Sequence, residues 1–179
     1  MFRNILIWGS LAGLIVGGLL FATTVGMADQ PPGMTLGMIL GYTGMLVALS
    51  LIFVAVKRQR DRVQGGVIRF WPAFGMGLGI SLVAGVFYVL AWEAALAVTG
   101  MDFGAVYAQM LLDQHRAAGA GAEELARVAA EMETFRVQYA NPLYRMPMTF
   151  TEIFPVGVLV SLITAALLRN PRFMPLRRA

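Results

Sequence analysis

Two glutamates, Glu93 and Glu152, interrupt long apolar stretches and are the side chains of this sequence most suited to chemistry. Acidic groups inside membrane-crossing segments are rare, and they usually face a cavity or a partner group. Two carboxylates at one depth could face each other across a helix interface and hold a proton or a cation between them. Their positions therefore predict that both belong to one polar cluster near the outer ends of two helices.

Polar residues that precede Glu152 complete this predicted polar membrane cluster. They are Arg145, Thr149 and Thr151. Pro155, about one turn further on, lacks a backbone N–H and predicts a kink. Threonine hydroxyls can bond the carbonyl groups that such a kink frees. A cluster of this composition could move protons or cations, which would make the protein a small transporter or channel.

The alternative interpretation of the same cluster is structural. Each carboxylate would bond a neighbour such as Arg145, Thr149 or Tyr88 and so lock the outer ends of the helices. We favour this interpretation because polar groups cost less to bury near a membrane boundary than at the membrane centre.

Signatures of catalysis and of metal binding are absent from the sequence. It contains no HExxH, GxSxG or P-loop motif. Cysteine is absent, which excludes disulfides and thiolate metal sites, and the single histidine, His115, is weak evidence for a metal ligand. We therefore predict a protein that is not an enzyme and that has no metal and no cofactor.

The elements that position the two glutamates are four long apolar stretches, at about 5–26, 34–56, 72–98 and 148–168. Hydrophobic residues make up 58% of the 179 residues and charged residues only 13%, against about 25% charged residues in soluble domains. Each stretch can cross about 30 Å of hydrocarbon as a helix, and helices satisfy their own backbone groups in lipid. Residues 1–179 are therefore predicted to form a single all-α membrane domain with the lipid bilayer as its main partner.

The distribution of basic residues predicts the orientation of the chain. They flank one side of the spans: Arg3, Lys57, Arg58, Arg60, Arg62, Arg69, Arg169, Arg172, Arg177 and Arg178. Cytoplasmic loops are enriched in Lys and Arg, so both termini are predicted to be cytoplasmic, in a cell inner membrane. Because these residues adjoin apolar segments, we interpret the net charge of +4 as a topology signal, with no nucleic acid as partner.

The first apolar stretch resembles a signal peptide. The apolar region of a signal peptide has about 7–15 residues, and this stretch is longer, so we expect it to remain as a span.

The segment at about 101–141 is the one sizeable part outside the predicted spans. Apolar residues recur there at helical spacing in two runs, which are separated by Gly119-Ala120-Gly121. The runs are Phe103, Val106, Tyr107, Met110 and Leu111, and then Leu125, Val128, Ala129, Met132, Phe135 and Tyr139. We predict an extracytoplasmic amphipathic helical hairpin that lies over the outer ends of the spans.

Glycines recur every four residues in the first three spans, and they are predicted to pack helices together. They are Gly9, Gly13 and Gly17, then Gly37 and Gly41, and finally Gly75 and Gly79. Small residues at this spacing let helix backbones approach closely. We favour packing within one compact bundle. The other interpretation is that one glycine face, that of the first span, docks a second subunit, either in a homo-oligomer or from another membrane protein.

Several short motifs resemble those of one bacterial family. They include Gly41-Tyr42-Thr43, Gly65-Gly66-Val67-Ile68, Phe87-Tyr88-Val89-Leu90-Ala91-Trp92-Glu93, Glu152-Ile153-Phe154-Pro155-Val156-Gly157 and Arg169-Asn170-Pro171. Over the second to fourth spans and the segment between them, the sequence is similar to the family called domain of unknown function 4199. The resemblance implies a small inner-membrane protein with four spans. It implies no activity, so no functional residue follows from it.

The leading hypothesis is a bacterial inner-membrane protein that acts as a structural or accessory subunit. The glycine faces, the small size and the lack of a polar pathway along the spans favour it. The alternative is a small transporter or channel-like protein that uses Glu93 and Glu152. The two hypotheses differ in whether these glutamates face a wet cavity or a packed interface.

Overall fold

The computed structural model describes residues 1–28 and 33–175, and in this part of the chain it confirms the predicted all-α fold. Within these ranges there is no strand, and the helices are α1 (Phe2–Gly26), α2 (Met34–Leu49), α3 (Leu51–Val63), α4 (Phe70–Thr99), α5 (Phe103–Ala117), α6 (Ala122–Tyr139) and α7 (Pro142–Leu168). Arg177 and Arg178, two of the basic residues from which the orientation is predicted, lie outside the described residues.

Four helical segments are long and apolar enough to cross a membrane, as the sequence predicts. They are Phe2–Gly26, Thr35–Val63, Phe70–Thr99 and Pro142–Leu168, and the second comprises α2 and α3. The fourth begins earlier than the predicted start at 148. The Asn141 side chain caps it by accepting the Leu143 N–H, and Pro142 occupies the first turn, where a missing N–H removes no helical hydrogen bond.

Helix α4 lies between α1 and α7 and makes the most extensive contacts with both. Helices α1 and α4 run in the same direction, because successive glycines of α1 meet successive positions of α4, from Gly9 against Val83 to Gly17 against Ala91. Helix α7 runs the opposite way, with Gly157 against Ser81. The apolar core that these helices share with α3 includes Ile52, Val56, Met76, Ile80, Ile153 and Leu168.

The side chain of Arg60, near the end of α3, is fully buried and joins this end of the bundle to the chain after α7. Its guanidinium donates to the backbone carbonyls of Phe173 (2.9 Å) and Met174 (2.6 Å) and to the carboxylate of Asp61 (2.7 Å). The chain that follows α7 therefore folds back onto α3. Lys57 also pairs with Asp61, at 2.5 Å, so both ion pairs of this cluster belong to α3.

Helices α5 and α6 pack against each other in opposite directions, with Tyr107 5.7 Å from Phe135 between ring centroids and His115 3.3 Å from Glu124. Asp102 caps α5 and forms an ion pair with Arg136 of α6 at 2.7 Å. The backbone N–H of Ala105 and the Arg136 guanidinium hold the pKa of Asp102 below its usual range.

Candidate functional site

The candidate site lies between the last turns of α4 and the first turns of α7. Because the two helices run in opposite directions, the end of one faces the beginning of the other. The residues predicted for the polar cluster all lie in this region: Glu93 on α4, and Arg145, Thr149, Thr151 and Glu152 on α7. We call this region the outer seam, after the outer position that the sequence predicts for it. The end of α6, at Tyr139, adjoins it.

Glu93 and Arg145 form a bidentate ion pair across the outer seam. Arg145 Nε donates to one Glu93 oxygen at 2.7 Å, and Nη2 donates to the other. The remaining arm, Nη1, donates to the backbone carbonyl of Tyr139 at 3.2 Å. Only 14% of the Arg145 side chain and 19% of the Glu93 side chain are exposed. Fork-to-fork pairing of this kind fixes geometry as well as charge, so this pair joins α4, α6 and α7.

An aromatic contact supports the ion pair from α6. Trp92 Nε1 donates to the Tyr139 hydroxyl at 2.8 Å, and the Arg145 guanidinium lies 5.8 Å from the centre of the Tyr139 ring. Burial raises the pKa of Tyr139, so this hydroxyl keeps its proton at neutral pH. Phe103 of α5 packs edge-on against Trp92 at 5.0 Å. Together these contacts attach the α5–α6 pair to the bundle.

Glu152 has a different environment from Glu93. It accepts a hydrogen bond from the hydroxyl of buried Tyr88 at 3.3 Å, and its side chain is exposed on the bundle surface. Among the described residues it has no cationic partner within ion-pair distance, whereas Glu93 has one. Thr151 is exposed beside it and donates to the Met148 carbonyl at 2.7 Å. Glu152 is therefore an uncompensated carboxylate on an apolar surface.

The structure brings Glu93 and Arg145 together but gives the two carboxylates separate partners. Seven residues separate Arg145 from Glu152 on α7, which corresponds to about 10 Å along the helix axis. The predicted meeting of Glu93 with Glu152 at one depth is thus not among the observed contacts of the described residues. Thr149 lies between the two levels, and its buried hydroxyl has no hydrogen-bond partner in the described part of the chain.

Six of the seven predicted packing glycines fall into two groups. A Cβ at Gly9, Gly13, Gly17 or Gly79 would lie 2.6–3.0 Å from side-chain atoms across the α1–α4 interface. A Cβ at Gly41 or Gly75 would meet nothing within 4 Å, so these two positions make no close helix contact within the chain. Gly75 lies one helical turn before Gly79 on α4. Because Gly79 faces Ile5, Gly75 is level with the first residues of α1, where that helix begins. Gly37 is half-buried on α2.

Two close contacts between α4 and α7 involve glycines that the four-residue spacing did not single out. A Cβ at Gly77 would lie 2.6 Å from Ser161 Oγ, and one at Gly157 would lie 2.5 Å from Ser81 Oγ. Each serine donates to a carbonyl of its own helix, Ser81 to Gly77 and Ser161 to Gly157. On each of the two helices, a glycine is followed four residues later by a serine. This spacing of small residues was the signal in the sequence that could have predicted the close packing of α4 against α7.

Four long apolar helices, packed through small residues and joined at one end by an ion pair, are the features of a small α-helical membrane protein. The chain belongs to the family described as Protein of unknown function (DUF4199), whose model matches residues 7–170. This match confirms the resemblance inferred from the sequence motifs. No curated protein and no solved structure matches the chain.

Proposed function

We propose that this protein is a structural or accessory subunit of a bacterial inner membrane and is not an enzyme. Both termini and the loop between α3 and α4 face the cytoplasm, and α5 and α6 lie on the outer side. The basic residues at the inner ends of the spans support this orientation, because cytoplasmic loops are enriched in Lys and Arg. In this role the bundle is a compact support whose surfaces contact other membrane components.

The Glu93–Arg145 pair is the observation that carries the proposal. A carboxylate that moves protons or cations must gain and release them, but Glu93 has both oxygens bound by one guanidinium. Further along the same interface, the contacts of Gly157 with Ser81 leave no room even for a methyl group. We therefore infer that the outer seam stabilises the packing of α4 against α7.

A small transporter or channel-like protein that uses Glu93 and Glu152 is the second candidate. The observation that favours it is the environment of Glu152, which contacts Tyr88, lies near Pro155 and has no cationic partner among the described residues. A proline within the helix, beside an acidic group, is compatible with ion movement. It is equally compatible with a surface that binds another helix.

Flux measurements on purified protein in liposomes distinguish the two candidates. We expect proton and cation fluxes equal to those of protein-free liposomes, both for the unaltered chain and for Glu93→Gln. A flux that depends on the protein and is lost in Glu93→Gln or in Glu152→Gln would overturn the structural proposal. In parallel, the chain purified from native membranes at its natural abundance should carry companion proteins in fixed proportion.

A further inference from the structure

We propose that the outer part of α7 is a docking site for a transmembrane helix of a partner protein, one that presents a cationic side chain to Glu152. The inference rests on the accessory role proposed above and names the surface and the chemistry of the partner. Four observations support the inference: the exposed face of α7, the depth of Glu152, an excess of hydrogen-bond acceptors, and the exposed outer half of α2.

The docking surface is one face of α7. Its exposed residues recur at helical spacing and are Met148, Thr151, Glu152, Pro155, Leu159 and Leu162. A stripe of this kind on a membrane-crossing helix faces lipid unless a partner covers it. Glu152 is the charged member of the stripe, and charged groups within spans almost always face a bundle interior, a cavity or a partner.

The depth of Glu152 places it below the lipid headgroups. It lies seventeen residues before Arg169, or about 25 Å along the helix from that inner boundary. The hydrocarbon layer is about 30 Å thick, so Glu152 is inside it. Arg145, by contrast, lies twenty-four residues before Arg169, about 36 Å away. Glu93, which is paired with Arg145, is thus at the level of the lipid headgroups, whereas Glu152 lies below them. A transmembrane helix can place a cationic side chain at the depth of Glu152 more readily than a lipid headgroup can.

The polar groups of this surface offer more acceptor sites than there are donors to fill them. The Tyr88 hydroxyl supplies one hydrogen bond to Glu152, and the Thr151 hydroxyl is engaged with the Met148 carbonyl. Pro155 has no N–H, so the carbonyl four residues earlier, that of Thr151, loses its helical partner. A carboxylate and a freed carbonyl in one patch are complementary to a Lys or Arg side chain.

The outer half of α2 is also exposed. From Thr35 to Thr43 every residue is exposed except the half-buried Gly37, and contact with α1 is seen at Gly44, which lies against Leu19. Helix α2 also contacts α7. A Cβ at Gly41 would meet nothing within 4 Å, so another helix could approach this backbone closely.

A second copy of this chain does not supply the complementary group. Among the described residues, the cationic side chains of the four spans lie at the inner ends, except for Arg145, which is engaged with Glu93. Association of two copies through this face would bring a second uncompensated carboxylate into the patch. The charge of the surface therefore indicates a different membrane protein as the occupant.

The test is site-specific photocrosslinking in native membranes with the full chain. p-Benzoylphenylalanine is placed at Thr151, beside Glu152, or at Val86, an exposed apolar position on α4 at a similar depth. We expect a crosslinked product from position 151 and not from position 86. Its partner, identified by mass spectrometry, should have a Lys or Arg in the outer third of a span. In a Glu152→Leu background the product should fall about tenfold or more, the change that about 1.4 kcal/mol produces.

Charge exchange completes the test and separates folding from docking. Glu152→Lys should abolish the product, and replacing the partner's cationic residue by Glu should restore it. Glu152→Gln should keep the abundance and melting temperature of the unaltered chain while weakening the product. A product that consists of two copies of this chain, or of lipid alone, would overturn the proposal, as would a protein product indifferent to Glu152→Leu. If docking fails while liposome fluxes remain at background, the structural role stands without this partner.

Discussion

The α1–α4 interface should depend on the absence of a side chain at Gly13. A Cβ at this position would lie 2.6 Å from Phe87 Cβ and 2.8 Å from Phe87 Cγ. Non-bonded carbon atoms are in contact at about 3.5–4.0 Å, so Gly13→Ala requires α1 and α4 to move apart by about 1 Å, because a rotamer change at Phe87 would leave its Cβ in place. Overpacking of this kind costs about 1–3 kcal/mol.

Gly18 offers a matched control on the same helix, since a Cβ there would meet no atom within 4 Å. Both substitutions raise intrinsic helix propensity by a similar amount, about 1 kcal/mol, so the difference between the two variants isolates the contact with Phe87. We expect Gly13→Ala to have a lower melting temperature than Gly18→Ala in detergent solution. Equal melting temperatures for the two variants would show that α1 does not rest on α4 through this glycine. Gly13→Ile, with a larger side chain, should reduce the abundance of the protein in the membrane.

Three further predictions concern topology and the two ends of the bundle. Reporter fusions at Gly65 should be cytoplasmic and fusions at Gly119 external, and an external signal at Gly65 would refute the orientation. The lowered pKa of Asp102 contributes stability that is complete above its unfolded-state pKa of about 3.9 and is lost as the pH falls through the lower folded-state value. Asp102→Asn should therefore be less stable than the unaltered chain at pH 7, and the difference in melting temperature should shrink in acid; a difference independent of pH would contradict this. Arg60→Lys loses the guanidinium fork and should speed proteolysis of the C-terminal tail, whereas Arg58→Lys, at an exposed position, should not.

The sequence was sufficient to predict the four spans, because length and apolar composition alone decide whether a helix can cross a bilayer. It was not sufficient to assign partners to the glutamates. Arg145 and Tyr88 were both recognised as candidate neighbours, but which carboxylate each one meets depends on the relative register of α4 and α7. That register is set by close contacts such as Gly157 against Ser81.

Arg60 shows a second reason why sequence reasoning falls short. In a run of basic residues it was interpreted as a topology signal, yet it is fully buried because the chain after α7 returns to it. Its partners Phe173 and Met174 are more than a hundred positions away in the sequence. Spacing likewise does not tell which glycine has a neighbour, as Gly13 and Gly41 demonstrate.

The central claim is that the outer seam is a structural fastening, and charge exchange between Glu93 and Arg145 tests it most directly. Glu93→Arg and Arg145→Glu should each lower the melting temperature and the membrane abundance, because each leaves like charges in contact. The double exchange should recover part of the loss, with a coupling free energy of about 0.5–3 kcal/mol. Recovery should be incomplete because the exchanged pair loses the hydrogen bond from Arg145 to the Tyr139 carbonyl. Single variants that fold and melt like the unaltered chain, with no coupling in the double variant, would contradict the claim.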